Sequence, residues 1–115
     1  MWLFLNDSFV SIVEHHDDPD TMLVRGRFRG DAARFLGVPM SHEVELSEAD
    51  YRFRVLARRA DVEKAILKEV RRVRYPNFKD SITSQWRKLV AMEVWTTLHR
   101  AQRERLSISA RRGGR

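Results

Sequence analysis

The sequence predicts an α+β protein, with an antiparallel sheet of three to five strands and two longer helices packed on one face. Two observations support this prediction. The first half of the chain contains short runs that are apolar or that alternate between apolar and polar residues, and the second half contains apolar residues at helical spacing. Strands followed by helices are typical of a two-layer sandwich, and the strand–helix–strand–helix core resembles a ferredoxin-like arrangement.

Three strands are predicted near the start of the chain. Residues 2–5 form a short apolar run that ends at the turn-forming pair Asn6-Asp7. Residues 9–15 are mostly apolar and β-branched, as expected for a strand that pairs with the first. Residues 21–29 alternate, so that one set of side chains faces a core and the other set, with three arginines, faces away.

A short helix and two further strands are predicted next. Residues 32–36 fit one or two helical turns, since Asp31 can cap their start and Gly37 can end them. Residues 43–46 fit an edge strand. Residues 50–57 alternate again and complete the sheet.

Two longer helices follow the strands. Asp61 is a suitable N-cap for the first, whose apolar residues recur at helical spacing. Pro76 interrupts helical structure, and the last helix is predicted over residues 81–105 with Asp80 or Ser81 as its cap. The strand and helix order therefore agrees with the α+β class.

The apolar stripe of the last helix is wider than one packing contact requires. Trp86 and Trp95 are expected in the core. Alternatively, Trp95 and Leu98 could form an interface with a partner or with a second copy of the chain, because tryptophan often anchors interfaces.

Length and charge indicate the domain organisation. The chain has 115 residues and a mass of 13.6 kDa, which fits one domain over residues 1–106. The net charge is +6, yet residues 1–50 hold ten acids against four arginines, so the positive excess lies in the second half. Residues 107–115 are basic and have little to bury, which predicts a disordered basic tail.

Several classes of function are disfavoured. Cysteine is absent, which excludes disulfides and thiolate metal sites. No phosphate-binding glycine loop, nucleophile elbow or zinc-protease motif occurs, so neither an enzyme nor a cofactor is expected. No apolar run approaches the length of about eighteen residues that spans a membrane, and the first residues lack the basic lead of a signal peptide. A cytoplasmic protein with no membrane partner is the expectation.

The main candidate site is a set of arginines on two strands. If the apolar residues of both strands face the helices, five arginines share the open face of the sheet: Arg25, Arg27, Arg29, Arg52 and Arg54. Because adjacent strands lie ~4.8 Å apart, these guanidinium groups would crowd together and could bind phosphate. The alternative is pairing with the protein's own acids, for example Glu14, Glu43 and Glu45.

The predicted direction of the nearby aromatic side chains counts against single-stranded nucleic acid as the ligand. Such ligands normally need rings on which bases stack. The alternation predicts that the nearby rings point away from the arginines: Phe28, Tyr51 and Phe53.

A second basic surface is predicted on the first long helix. Its polar face carries Lys64, Lys68, Arg71 and Arg72. A charged stripe opposite an apolar one is either an ordinary solvated face or a phosphate-binding surface.

The turn that begins at His15-His16 contains metal-ligating residue types, with three aspartates close behind. Neighbouring residues of a strand point to opposite faces, so His15 and His16 are not expected to share an ion. We therefore predict an acidic turn and no metal site.

Several segments resemble a family of small, uncharacterised bacterial and phage proteins. They are Ser11-Ile12-Val13, Asp20-Thr21-Met22-Leu23-Val24-Arg25-Gly26-Arg27, Ala49-Asp50-Tyr51-Arg52-Phe53-Arg54, Tyr75-Pro76-Asn77-Phe78-Lys79, and Val94-Trp95 with Leu98 and Gln102. The resemblance covers most of residues 9–102. The family has no established activity, and the resemblance implies a small accessory protein of bacterial chromosomes, prophages or mobile elements.

The expected function is binding rather than catalysis. The first hypothesis is a phage or mobile-element accessory protein that binds a nucleic acid or a nucleoprotein complex through its arginines, for instance an inhibitor of a host defence system such as an anti-CRISPR. The second hypothesis is a protein-interaction subunit or homodimer whose arginines only pair with its own acids.

Overall fold

The computed structural model describes residues 1–113. The strands are β1 (Trp2–Phe4), β2 (Phe9–His15), β3 (Asp18–Gly26), β4 (Val44–Glu45) and β5 (Phe53–Arg58). The helices are α1 (Asp31–Leu36), α2 (Arg59–Arg71), α3 (Phe78–Ser81) and α4 (Gln85–Gly113), with a 3-10 turn at Met40–His42. These elements divide into two compact units, Met1–Pro76 and Asn77–Arg115.

The first unit contains the whole sheet. Its strand order is β1-β2-β3-β5-β4, and every neighbouring pair is antiparallel. The predicted α+β class, with an antiparallel sheet and helices packed on it, is confirmed. The finer ferredoxin-like arrangement is not formed, because β4 lies between α1 and β5 in the chain and β3 and β5 are antiparallel neighbours, whereas a strand–helix–strand crossover joins parallel strands.

One face of the sheet carries the core of the first unit. Ile12, Val24 and Val55 are aligned across β2, β3 and β5, and all three are buried. The helices contribute Phe35, Val62 and Ala65 to the same cluster. Since burying such an aliphatic or aromatic side chain contributes about 1.5–3 kcal/mol, this cluster stabilises the packing of α1 and α2 on the sheet.

Two acids hold the start of α1. The Glu43 carboxylate accepts hydrogen bonds from the backbone N–H groups of Gly30 (2.8 Å) and Ala33 (3.1 Å), which α1 leaves without helical partners. The buried Asp31 carboxylate accepts one from the Phe9 N–H at 2.9 Å. The prediction that Asp31 caps this helix is wrong, because the N-cap is Gly30, the Asp31 carboxylate joins α1 to β2, and Glu43 supplies the acceptors for the helix-terminal N–H groups.

The strands and the first long helix begin and end at other residues than predicted. β3 ends at Gly26 instead of continuing to Arg29, and β5 begins at Phe53 instead of residue 50. β5 leads directly into α2, which starts at Arg59, so Asp61 lies in the first helical turn and is not the N-cap. There Asp61 pairs with Arg58 at 3.2 Å. These shifts matter for the site, because alternation fixes side-chain direction only inside a strand.

The second unit consists of α3 and α4. Asn77 caps α3, since its Oδ1 accepts a hydrogen bond from the Asp80 N–H at 3.1 Å. α4 continues to Gly113, so residues 107–113 are helical where a disordered tail was predicted. No proline or glycine interrupts this stretch before Gly113, and its alanine and two arginines favour helix. Residues 114 and 115 of the predicted tail lie outside the described residues.

Among residues 1–113, every helix is either too short or too polar to cross a membrane. The longest, α4, carries arginines along its whole C-terminal half.

Candidate functional site

Three of the predicted arginines contact one residue, Tyr51: two lie against its ring and the third contacts its backbone. The guanidinium carbon of Arg25 lies 4.5 Å from the centre of the Tyr51 ring, and that of Arg27 lies 4.2 Å from the same centre. The third, Arg54, donates a hydrogen bond to the Tyr51 carbonyl oxygen at 3.1 Å. We call this group, Arg25, Arg27, Arg54 and Tyr51, the Tyr51 cluster.

Strand register explains how the cluster forms. Ser11, Arg25, Arg54 and Val44 are aligned in one row across β2, β3, β5 and β4. Arg25 and Arg54 are therefore direct cross-strand neighbours on the face opposite the core, where like charges destabilise a sheet. Arg25 also donates a hydrogen bond to the Ser11 hydroxyl at 2.9 Å.

The two central guanidinium groups are incompletely satisfied. The Nε atoms of Arg25 and Arg54 are buried, and neither has a hydrogen-bond acceptor among residues 1–113. Within the same range, no carboxylate forms an ion pair with any member of the Tyr51 cluster. A buried donor without an acceptor costs about 1–3 kcal/mol, so an anion at this place would relieve both the repulsion and the desolvation.

The acids expected to neutralise the arginines have other partners. Glu14 pairs with Arg59 at 2.6 Å, and Glu43 caps α1. Glu45 pairs with Arg29 at 2.8 Å. Pairing with the protein's own acids thus accounts for Arg29 and leaves the Tyr51 cluster without an ion pair in the described part of the chain.

The structure does not bring all five arginines together. Because β3 ends at Gly26, Arg29 lies outside the strand, where it contacts the Phe53 ring at 4.9 Å besides its ion pair. Arg52 precedes β5 and donates a hydrogen bond to the Ser47 carbonyl oxygen at 3.3 Å. The predicted shared face therefore holds for Arg25 and Arg54, which lie within the strands, and does not extend to Arg29 and Arg52, which lie outside them.

Tyr51 is the residue that sequence reasoning placed incorrectly. Alternation predicted that its ring points away from the arginines, but Tyr51 lies in the turn before β5, where alternation does not apply. The turn-forming Asp50 immediately before it was the available signal for an earlier strand end.

The face that bears the cluster is open only in part. Phe9 and Ser11 of β2 lie on it and are buried, at 9% and 1% exposure. Val44 and Leu56, on the β4 and β5 side, are more than half exposed. The exposed part of this face is therefore the β4–β5 side of the row, next to Arg54.

The basic residues of α2 form a separate surface. Lys64, Lys68 and Arg71 are exposed and lie at helical spacing on the side of α2 away from the core. Arg72 follows the helix and pairs with Glu69 at 2.8 Å and with Asp7 at 3.5 Å; these two carboxylates raise the pKa of its guanidinium. The α2 surface and the Tyr51 cluster lie on opposite sides of the sheet, so one small ligand cannot touch both.

The histidine turn is more compact than predicted. The rings of His15 and His16 stack at 4.6 Å, because β2 ends at His15 and alternation stops there. Ligand atoms of His15, His16 and Asp17 lie within 4.8 Å of one another. However, the His15 Nδ1 already accepts the Asp17 N–H at 3.2 Å, and this exposed turn holds together through its own hydrogen bonds.

Asp18 belongs to these local contacts. Its pKa is lowered mainly by the hydrogen bond from the Thr21 hydroxyl, then by the one from the Asp20 N–H. A carboxylate held by such bonds stabilises the turn.

The tryptophans of α4 are not core residues, which corrects the prediction. Trp86 is 45% exposed and Trp95 is 52% exposed. The Trp95 ring stacks on His99 at 4.7 Å, and the Lys79 ammonium lies 4.9 Å from its centre. Leu98, the other predicted interface residue, is 65% exposed. Both side chains are therefore accessible to a partner.

The fold and the site together define a small α+β protein whose antiparallel sheet carries an arginine cluster beside a tyrosine, with no carboxylate partner among residues 1–113. Comparison of the chain with protein-family models, with curated proteins and with solved structures finds no match. Function therefore has to be inferred from the site itself.

Proposed function

We propose that the protein binds the phosphate backbone of a nucleic acid, alone or within a nucleoprotein complex, through the Tyr51 cluster. The observation that carries this proposal is the cross-strand pair Arg25 and Arg54, whose buried Nε donors lack acceptors within residues 1–113. A phosphate offers several acceptor oxygens and a negative charge to such a pair.

The geometry favours a phosphodiester over a small anion. Arg27 lies beyond the end of β3 and adds a third cation to the pair, with its guanidinium carbon against the same Tyr51 ring as that of Arg25. The two arginines on the Tyr51 ring keep their planar groups ordered by cation–π contacts, each contributing about 0.5–1 kcal/mol at a partly exposed site. An ordered group of three cations is suited to successive phosphates of one nucleic acid strand.

The proposed role is non-enzymatic. Together with the resemblance to small bacterial and phage proteins, it makes the chain a candidate accessory protein of a phage or mobile element. An inhibitor of a host defence nuclease is one such role, because those machines expose nucleic acid on basic channels that a small binder can occupy.

The test is fluorescence anisotropy with a labelled oligonucleotide and the full chain. The variant Arg25→Gln/Arg54→Gln removes two phosphate contacts and is expected to weaken binding about tenfold or more at low salt. The matched control is Arg58→Gln/Arg29→Gln, which removes the same charge from arginines already paired with Asp61 and Glu45.

The control variant should bind oligonucleotide within about threefold of the unmodified chain. The two acids that lose their arginine partners change only the long-range electrostatic potential at the cluster. Circular dichroism checks that both variants fold. Equal weakening by both variants would show that net charge alone matters, and the site assignment would be abandoned.

A protein partner is the second candidate function, and the exposure of Trp95 and Leu98 favours it. Exposed tryptophan beside leucine is typical of an interface anchor. Capture from a bacterial lysate with and without nuclease distinguishes the candidates: a protein that stays bound after nuclease treatment and is lost in Trp95→Ala supports the second, and binding that disappears with nuclease supports the first.

A further inference from the structure

The C-terminal half of α4 is an exposed helix with an unusual charge distribution. All residues from Trp95 to Gly113 are exposed, so no packed face supports this stretch. It carries five arginines against the single acid Glu104. Helices normally gain most of their stability from packing, so a partner that covers this one would stabilise it.

The arginines occupy two separate rows along the helix. At about 100° per residue, Arg105 and Arg112 lie seven residues apart and form one row. The second row is formed by Arg100, Arg103 and Arg111. Among residues 1–113 none of the five arginines forms an ion pair.

A narrow strip of other residues separates the two arginine rows. It consists of Thr97, Ala101, Glu104 and Ile108, whose spacing of four, three and four residues keeps them on one side. The strip offers the hydroxyl of Thr97, the carboxylate of Glu104 and the apolar side chains of Ala101 and Ile108. Such groups can contact base edges and thymine methyl groups.

The dimensions agree with the major groove of a nucleic acid duplex. A helix with its side chains is about 10–12 Å in diameter, and the major groove of B-form DNA is about 12 Å wide. The nineteen residues from Trp95 to Gly113 span about 28 Å, close to one turn of the duplex. Cations on both flanks of such a helix reach the two phosphate backbones, while the strip between them faces the bases.

We propose that the C-terminal half of α4 binds duplex DNA in the major groove, with the two arginine rows on the two backbones. This inference deepens the proposed function, on which it rests, by naming the class of nucleic acid. It uses a surface of the second unit and shares no residue with the Tyr51 cluster.

The experiment compares two variants of equal charge change in the full chain. Arg105→Gln/Arg112→Gln removes one arginine row, and Gln102→Glu/Leu106→Glu lowers the charge by the same amount on the opposite side of the helix. Binding to a duplex of about 24 base pairs and to one of its single strands is measured by anisotropy at several salt concentrations. Circular dichroism confirms that the helix content is retained.

We expect Arg105→Gln/Arg112→Gln to lose about tenfold or more in duplex affinity and to reduce the slope of log K against log salt by about 2, with single-strand binding little changed. The variant Gln102→Glu/Leu106→Glu should keep most of the duplex affinity. This pattern supports groove binding by α4.

Other outcomes overturn the inference in distinguishable ways. Equal losses in both variants mean that only total charge matters. Duplex binding that depends on Arg25 and Arg54 but not on Arg105 and Arg112 leaves the proposed function intact and removes the role of α4. Failure of the unmodified chain to bind duplex or single strand rejects both proposals. Binding of phosphatidylserine vesicles in place of DNA would assign α4 to an anionic membrane surface.

Discussion

Arg25 and Arg54 are the residues at which stability conflicts with the proposed binding. Their side chains are cross-strand neighbours of like charge, and the Nε of each is buried without an acceptor among the described residues. Both features cost folding free energy, since repulsion is added to the loss of hydration. A residue that binds a ligand commonly leaves the folded protein less stable than another residue would at the same position.

We therefore expect Arg54→Leu to stabilise the protein while weakening nucleic acid binding. Removing one charge relieves the repulsion and one unsatisfied donor, and Leu56 shows that an exposed leucine is tolerated on this face of β5. The free energy of unfolding, measured with urea, should rise by about 1 kcal/mol. Arg58→Leu is the comparison: it breaks an exposed ion pair and should change stability by about 0.5 kcal/mol or less. A fall in the stability of Arg54→Leu would contradict the account of this pair.

At the scale of elements, α1 depends on contacts from outside itself. A helix of six residues is too short to be stable alone. Its N-cap is Gly30, which has a φ of 93° and no side chain that could accept a capping hydrogen bond. Glu43 supplies the missing acceptors from the segment before β4. This contact also fixes the path of the chain between α1 and the edge of the sheet.

Glu43→Ala should accordingly destabilise the protein by about 1–2 kcal/mol, because two helix-terminal N–H groups lose their acceptor. Chemical denaturation of the variant gives this value directly. Glu45→Ala, two residues away, removes only an exposed ion pair with Arg29 and should cost at most about 1 kcal/mol. Equal losses in the two variants would show that the cap is not the reason.

At the scale of the whole molecule, positive charge is divided among separate surfaces. The Tyr51 cluster lies on the face of the sheet opposite the core, and Lys64, Lys68 and Arg71 lie on the outer side of α2. A third surface is the exposed half of α4 in the second unit. A small protein with several basic surfaces can contact a long polyanion at more than one place.

The first two surfaces should act independently. Lys64→Gln/Lys68→Gln/Arg71→Gln is expected to weaken oligonucleotide binding without respect to its sequence, through loss of general attraction. Combined with Arg25→Gln/Arg54→Gln, the changes in binding free energy should add within about 0.5 kcal/mol, since the two groups share no contact. Anisotropy titrations of the single and combined variants measure this, and a clear departure from additivity would indicate that one ligand segment couples both surfaces.

The sequence by itself determined the class of fold. Periodicity is a local property, so the alternation in β2 and in the middle of β3, and the helical spacing in α2, could be read directly along the chain. The unequal distribution of charge and the choice of arginines as candidate ligands were available in the same way.

Only the tertiary structure decided which of these arginines form a site. Strand ends are set by pairing with neighbouring strands. Because Tyr51 lies before β5, its ring contacts Arg25 and Arg27. Arg29 and Arg52 also lie outside the strands and are not part of the group. The partners of Glu14, Glu43 and Glu45 depend on register between segments that are distant in sequence. Whether a charge is neutralised depends on distance in space, and distance in space between remote segments is not encoded in local pattern.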